Sequence, residues 1–275
     1  MGDECCDARS IGGVADRIRS SLGTSSVVES LVVANSGSKD ASANSQVYAS
    51  FFGNAIEQAD AACAHLLERY GGESINMVGF SQGGQLLRAV VERCEGLNVN
   101  NLVSLGGQHQ GVSTVPGCAS SHGDSIFCRS MQQLVNYGVY TSFVQARSIQ
   151  AQYVKDPYRL DAYASKSIFL ADINNEKAGA KVNTDYKRRL LRINKLVLFR
   201  FRDDVTVVPR DSSWFSFDNG TAVVPMEQTD LYRDDTIGLR ALNERGDVLR
   251  LECPGAHMQF TLDWFDDSVT KAFLV

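Results

Sequence analysis

Residues 74–91 constrain the fold more tightly than any other stretch of the chain. Ser74-Ile-Asn-Met-Val-Gly-Phe80 has the length and apolar content of a buried strand, and it passes without a loop into Ser81-Gln-Gly-Gly84. Leu86, Leu87, Val90 and Val91 then recur at helical spacing. Gly79 and Gly83 flank the serine, so the junction fits G-x-S-x-G. A serine on so tight a strand-to-helix turn needs small neighbours, because a side chain there would collide with adjacent backbone. Ser81 is therefore a candidate nucleophile raised at the end of a strand.

The surrounding pattern alternates. Residues 30–34, Ser-Leu-Val-Val-Ala, read as a buried strand. Val47, Phe51, Ala55, Ala59, Cys63, Leu66 and Tyr70 recur every three or four residues and read as a helix that Gly71 and Gly72 stop. Residues 101–105 read as another strand, ending in Gly106-Gly107. Strand, helix, strand, helix, strand requires crossover connections, and so a mainly parallel central sheet flanked by helices. After Gly107 the rhythm breaks into a loop over 108–130 and short helices over about 131–165. It resumes with a helix near 183–194 and a strand at 195–201. The expected organisation is a core of 1–107 and 195–275, with 108–194 as a helical insertion, or lid, forming part of a binding groove.

Composition narrows the partners. With 44% hydrophobic and 21% charged residues, the 275-residue chain can build a core of ordinary size. A net charge of −5 gives no basic footprint for nucleic acid or an anionic membrane surface. No apolar run approaches the roughly 18 to 20 residues that span a bilayer, so no transmembrane segment is expected. The opening Met-Gly-Asp-Glu-Cys-Cys is too polar for a signal peptide. The seven cysteines include neither C-x-x-C pairs nor Cys/His clusters at zinc spacing, so no metal site is expected, and acyl transfer through a serine ester would need no organic cofactor either.

A serine nucleophile needs a base, and the chain has four histidines: His65, His109, His122 and His257. His65 falls inside the first long helix, and His122 lies in the loop between Cys118 and Cys128. His109 follows the Gly106-Gly107 strand end and could border a cleft. His257 comes last, in Cys-Pro-Gly-Ala-His-Met before a final helix. The chain order nucleophile, acid, base leaves room for an intervening carboxylate only with His257. The acid should follow the strand at 195–201, where Asp203 and Asp204 are adjacent and Asp211 comes later. The residues alone do not choose between Asp203 and Asp204.

Several longer runs carry a family resemblance. Asn76-Met-Val-Gly-Phe-Ser-Gln-Gly-Gly-Gln85, Leu105-Gly-Gly-Gln-His-Gln-Gly-Val112 and Ser167-Ile-Phe-Leu-Ala-Asp-Ile-Asn174 resemble lysosomal palmitoyl-protein thioesterases, which have the α/β-hydrolase fold. So do the Met1 segment, Asp211-Ser-Ser-Trp-Phe215 and Gln228-Thr-Asp-Leu-Tyr232. The Gly-Phe-Ser-Gln-Gly-Gly stretch is shared with cytosolic acyl-protein thioesterases. The Gly-Gly-Gln-His-Gln-Gly run and the cysteine pattern are the specific part. The resemblance implies Ser81 as nucleophile, Asp204 as acid and His257 as base. It implies an oxyanion hole from the backbone N–H groups of Gln82 and Met1, and His109 as a cleft-lining residue. It also implies disulfides Cys63–Cys94 and Cys118–Cys128 and a vicinal pair Cys5–Cys6, leaving Cys253 over. The implied substrates are S-acylated proteins or peptides and fatty acyl thioesters, in a lysosomal or secreted setting. Asn219-Gly-Thr221 is the one N-x-S/T sequon and is compatible with glycosylation on a surface loop.

That family carries a leader, a first strand and a His-Gly pair ahead of the Met-Gly-Asp segment. The expectation is therefore a truncated chain without the leader or that central strand, which folds poorly and catalyses weakly as written. An oxygen-ester lipase or esterase using the same triad, and an inactive acyl-binding domain, are the competing readings.

Overall fold

The computed structural model describes residues 5–32, 42–113 and 138–275. Among these residues the centre is a four-stranded sheet in the order β1 (Ser74–Phe80), β2 (Asn98–Leu105), β3 (Lys195–Phe201) and β6 (Val248–Cys253). All three pairings are parallel, as the alternating pattern requires. A separate antiparallel pair, β4 (Phe217–Asp218) and β5 (Val223–Val224), forms a small hairpin.

The central strands bury both faces, which is why they read as continuous apolar runs. Leu102, Leu196 and Leu198 point into one apolar cluster with Val90, Leu190 and Leu242. Val103, Leu105, Val197, Phe199 and Phe201 point into the other, with Phe265 and Val269. Helix α1 (Ile11–Leu22) closes that second face with Val14 and Ile18. The other face is covered by α3 (Ala55–Tyr70) and α4 (Gln82–Arg93). A disulfide from Cys63 within α3 to Cys94 at the end of α4 joins these two helices across 31 residues of sequence. Cys5 and Cys6 are also bridged. Cys118 and Cys128 lie outside the described residues. Closing the loop between Cys63 and Cys94, a separation of 31 residues, in the unfolded chain is worth about 3 to 4 kcal/mol. Cys63→Ser is therefore expected to lower unfolding free energy by about that amount, measured by denaturant titration without reductant.

Three expected elements differ. Residues 30–32 are not a strand, and 33 and 34 lie outside the described residues. That segment is held by side chains instead: Arg19 donates to the Val28 carbonyl, and Glu29 bonds His65 and Tyr70 of α3. The single helix expected from Val47 to Tyr70 is two, α2 (Ala43–Phe51) and α3. The break falls where Phe52 turns extended and the Asn54 side chain accepts from Ile56 N–H, capping the second helix. The helix expected near 183–194 is shorter, Thr184–Leu190. Three short helices, Ser142–Gln145, Ile149–Gln152 and Leu160–Lys166, lie where short helices were expected. Among the described residues, no helix is long and apolar enough to cross a membrane.

Candidate active site

Three loops meet at the carboxyl edge of the sheet, where α/β folds gather their functional side chains. The first is the turn from β1 to α4. Ser81 sits there with φ 50° and ψ −122°, a left-handed backbone that only surrounding structure holds in a non-glycine residue. Its N–H donates to Leu105 O at 2.7 Å, which ties the turn to the end of β2. The close approach that demands glycine falls on Gly79, where a Cβ would lie 2.6 Å from Gly84 Cα. Gly83 has open space instead, and Gly84 packs against Ser104.

The other two loops follow β3 and β6. Their strands stay in register to Phe201 and Cys253, and the pairing continues through Arg202 N–H to Cys253 O and Asp203 N–H to Gly255 O, both 2.9 Å. That register brings the Asp204 and His257 loops together. Asp204 Oδ2 accepts from His257 Nδ1 at 2.7 Å, and His257 Nε2 lies 2.9 Å from Ser81 Oγ. A carboxylate only accepts, so Nδ1 carries the ring proton and Nε2 offers its lone pair to the Ser81 hydroxyl. Asp204 Oδ1 is occupied by the N–H groups of Thr206 and Val207 at 2.8 and 3.0 Å. The carboxylate is thus fixed at both oxygens, and its side chain is 0% exposed. Asp203, the alternative by sequence, is 61% exposed and faces Arg202. Asp211 pairs with Arg200.

Close packing aims His257. Its ring meets Phe201 edge-on, with centroids 5.7 Å apart. Gly106 lies against both: with φ +67°, a Cβ there would sit 2.9 Å from the Phe201 ring and 3.2 Å from His257 Cε1. Gln82 is the first residue of α4, and the N–H groups of a helix's first turn have no intrahelical partner. Met1 lies outside the described residues, as does His122.

His109 does not line a cleft. Its ring is fully buried and stacks on Phe215 with centroids 4.7 Å apart. Arg88 Nε donates to its Nδ1 at 3.3 Å, so Nε2 carries the proton and donates to Ser104 Oγ at 2.9 Å. Burial and the Arg88 charge hold His109 well below the usual imidazole range. The Gly-Gly-Gln-His-Gln-Gly run is therefore a polar hub beneath the site. Arg88 also bonds Glu92, Asn174 and the Ile173 carbonyl, and Gln85 donates to Gln108 O.

Burial pushes the Glu92 carboxyl up from 4.5 to about 7, against the pull of Arg88. A carboxyl raised in the folded state contributes its stability below the unfolded value and loses it as pH rises through the folded one. Unfolding free energy measured by denaturation is accordingly expected to gain up to a few kcal/mol from this group between about pH 7 and pH 4.5. Glu92→Gln should flatten that part of the profile.

A parallel sheet that turns into a helix through a positive-φ serine, with an aspartate and a histidine on the following loops, is an α/β-hydrolase. A family model described as Palmitoyl protein thioesterase matches residues 1–257. Palmitoyl-protein thioesterase 1 of Caenorhabditis elegans is 40% identical over 281 residues, covering 100% of this chain and 89% of that protein. Palmitoyl-protein thioesterase 3 of Dictyostelium discoideum is 38% identical over 62% of this chain and 56% of its own length. Lysosomal thioesterase PPT2 of Mus musculus is 32% identical over 69% of this chain and 60% of its own length. The chain belongs to the palmitoyl-protein thioesterase family.

Proposed function

We propose that this chain hydrolyses the thioester between a long-chain fatty acyl group and a protein cysteine, with Ser81 as nucleophile, His257 as base and Asp204 as acid. The observation that carries this reading is the unbroken hydrogen-bonded chain from Asp204 through His257 to Ser81. His257 Nε2 takes the Ser81 proton as Oγ attacks the thioester carbonyl. Asp204 fixes the productive tautomer and stabilises the imidazolium. The tetrahedral oxyanion is held by the Gln82 N–H, with Met1 N–H as second donor, each worth about 3 to 4 kcal/mol. Imidazolium returns the proton to the departing cysteine sulfur, leaving an acyl-serine. Water activated by the same base then releases the fatty acid.

The acyl chain lies between the core, residues 1–107 and 195–275, and the insertion 108–194. A lysosomal or secreted setting is supported by the Cys63–Cys94 bridge and by relatives named lysosomal thioesterases. The test compares turnover of a palmitoyl-cysteine peptide with that of its palmitoyl-serine ester, alongside fluorophosphonate labelling. Faster thioester turnover with labelled Ser81 is expected. Preference for the oxygen ester would make the protein an esterase, and an unlabelled serine would make it an acyl-binding domain without catalysis.

A further inference from the structure

Asn219-Gly-Thr221, the one sequon in the chain, has no part in this chemistry. It forms the tip of the β4–β5 hairpin, where Asn219 N–H bonds Ala222 O at 3.1 Å. The Asn219 side chain is engaged only through its oxygen. Oδ1 accepts from the N–H groups of Thr221 and Ala222 at 3.0 and 2.9 Å and from the Thr221 hydroxyl at 2.8 Å. Nδ2 donates to no group among the described residues, and Asn219 is exposed. The amide nitrogen thus faces solvent beside a hairpin that a bulky substituent would not disrupt.

Beside it stands Tyr158, an aromatic residue left 80% exposed. The ring is nevertheless pinned. Its hydroxyl donates to Gly220 O at 2.7 Å, and a Cβ on Gly220 would meet ring atoms at 2.9 Å. Only glycine at the middle of the sequon permits that contact. An aromatic face carries negative charge density and attracts polarised C–H groups such as those of a sugar ring.

We propose that Asn219 is an N-glycosylation site and that the first N-acetylhexosamine packs on the Tyr158 ring. The proposal rests on the lysosomal or secreted reading. The co-reactant is an oligosaccharide carried on a polyisoprenyl pyrophosphate. Asn219 Nδ2 forms a bond to its C1 while the C1–O bond breaks, the lipid pyrophosphate leaves with that electron pair, and an Nδ2 proton passes to a base of the transferase.

The full chain is secreted from animal cells behind a cleavable leader, so that access to the compartment does not depend on its own targeting. Non-reducing peptide mapping for the Cys63–Cys94 bridge reports separately on passage through an oxidising compartment. The intact mass is expected to exceed that of the polypeptide by one glycan, lost in Asn219→Gln and in Thr221→Ala. Bridged, secreted protein at the bare polypeptide mass overturns the site and leaves the thioesterase reading untouched. Enzymatic removal of the glycan should lower Tm by roughly 2 to 4 °C in the parent and by less than half as much in Tyr158→Ala. An equal drop in both proteins overturns the packing on Tyr158.

Discussion

Ser81→Ala is expected to lower palmitoyl-thioester turnover by about 10⁴-fold or more while leaving Tm within a few degrees of the parent. The substitution removes only the Oγ that faces His257 Nε2 at 2.9 Å. Alanine meets the same backbone demand at φ 50° as serine does, so the turn that Leu105 O anchors should persist. Steady-state kinetics and a thermal melt on the same preparation separate lost chemistry from lost structure. Turnover within tenfold of the parent would take Ser81 out of the mechanism.

Asp204→Asn should be nearly as damaging, again by about 10⁴-fold in kcat, for a reason the hydrogen bonds specify. Asp204 accepts three of them: two backbone N–H groups on Oδ1 and His257 on Oδ2. An asparagine that keeps its oxygen on Thr206 and Val207 N–H must present its NH₂ group to His257 Nδ1. His257 Nδ1 then has to accept from that NH₂, the ring proton moves to Nε2, and Nε2 can no longer take a proton from Ser81. Asp203→Asn should change kcat by no more than about twofold, because the Asp203 side chain is 61% exposed and its backbone bond to Gly255 does not involve the carboxylate. The reverse ranking would move the acid to Asp203.

Much of the scaffold was legible because its signals are local. The run from Ser74 through Ser81 to Arg93 encodes a strand, a turn and a helix in consecutive residues, and β3 reads as a strand from its apolar run alone. The misread elements depended on partners. Residues 30–32 have strand composition, yet Arg19, His65 and Tyr70 hold their neighbourhood through side chains and no ladder forms. The apolar spacing from Val47 to Tyr70 runs on across Gly53 and Asn54, where the chain breaks to start a new helix. Helix α1 and strand β6 drew no expectation, although β6 is the strand that carries the His257 loop.

At the site, sequence order alone singled out Ser81 and His257, because a serine between glycines and a late histidine in a Gly/Pro loop are recognisable where they stand. It left Asp203 and Asp204 level, since two adjacent carboxylates share composition, strand and spacing. The family resemblance named Asp204, and the tertiary structure supplies the physical difference: one side chain is sealed against His257 and the other lies in water. It likewise took His109 away from the cleft and placed it under Arg88 and Phe215, elements far apart in the chain. Periodicity and turn chemistry act over a few residues, so the sequence by itself determined β1, α4 and the elbow between them, and the strand β3. Burial and hydrogen-bond partners are set by which strand ends meet: the β3–β6 register brings the Asp204 and His257 loops together, and the Thr206 and Val207 N–H groups hold the Asp204 carboxylate, rather than that of Asp203, against His257.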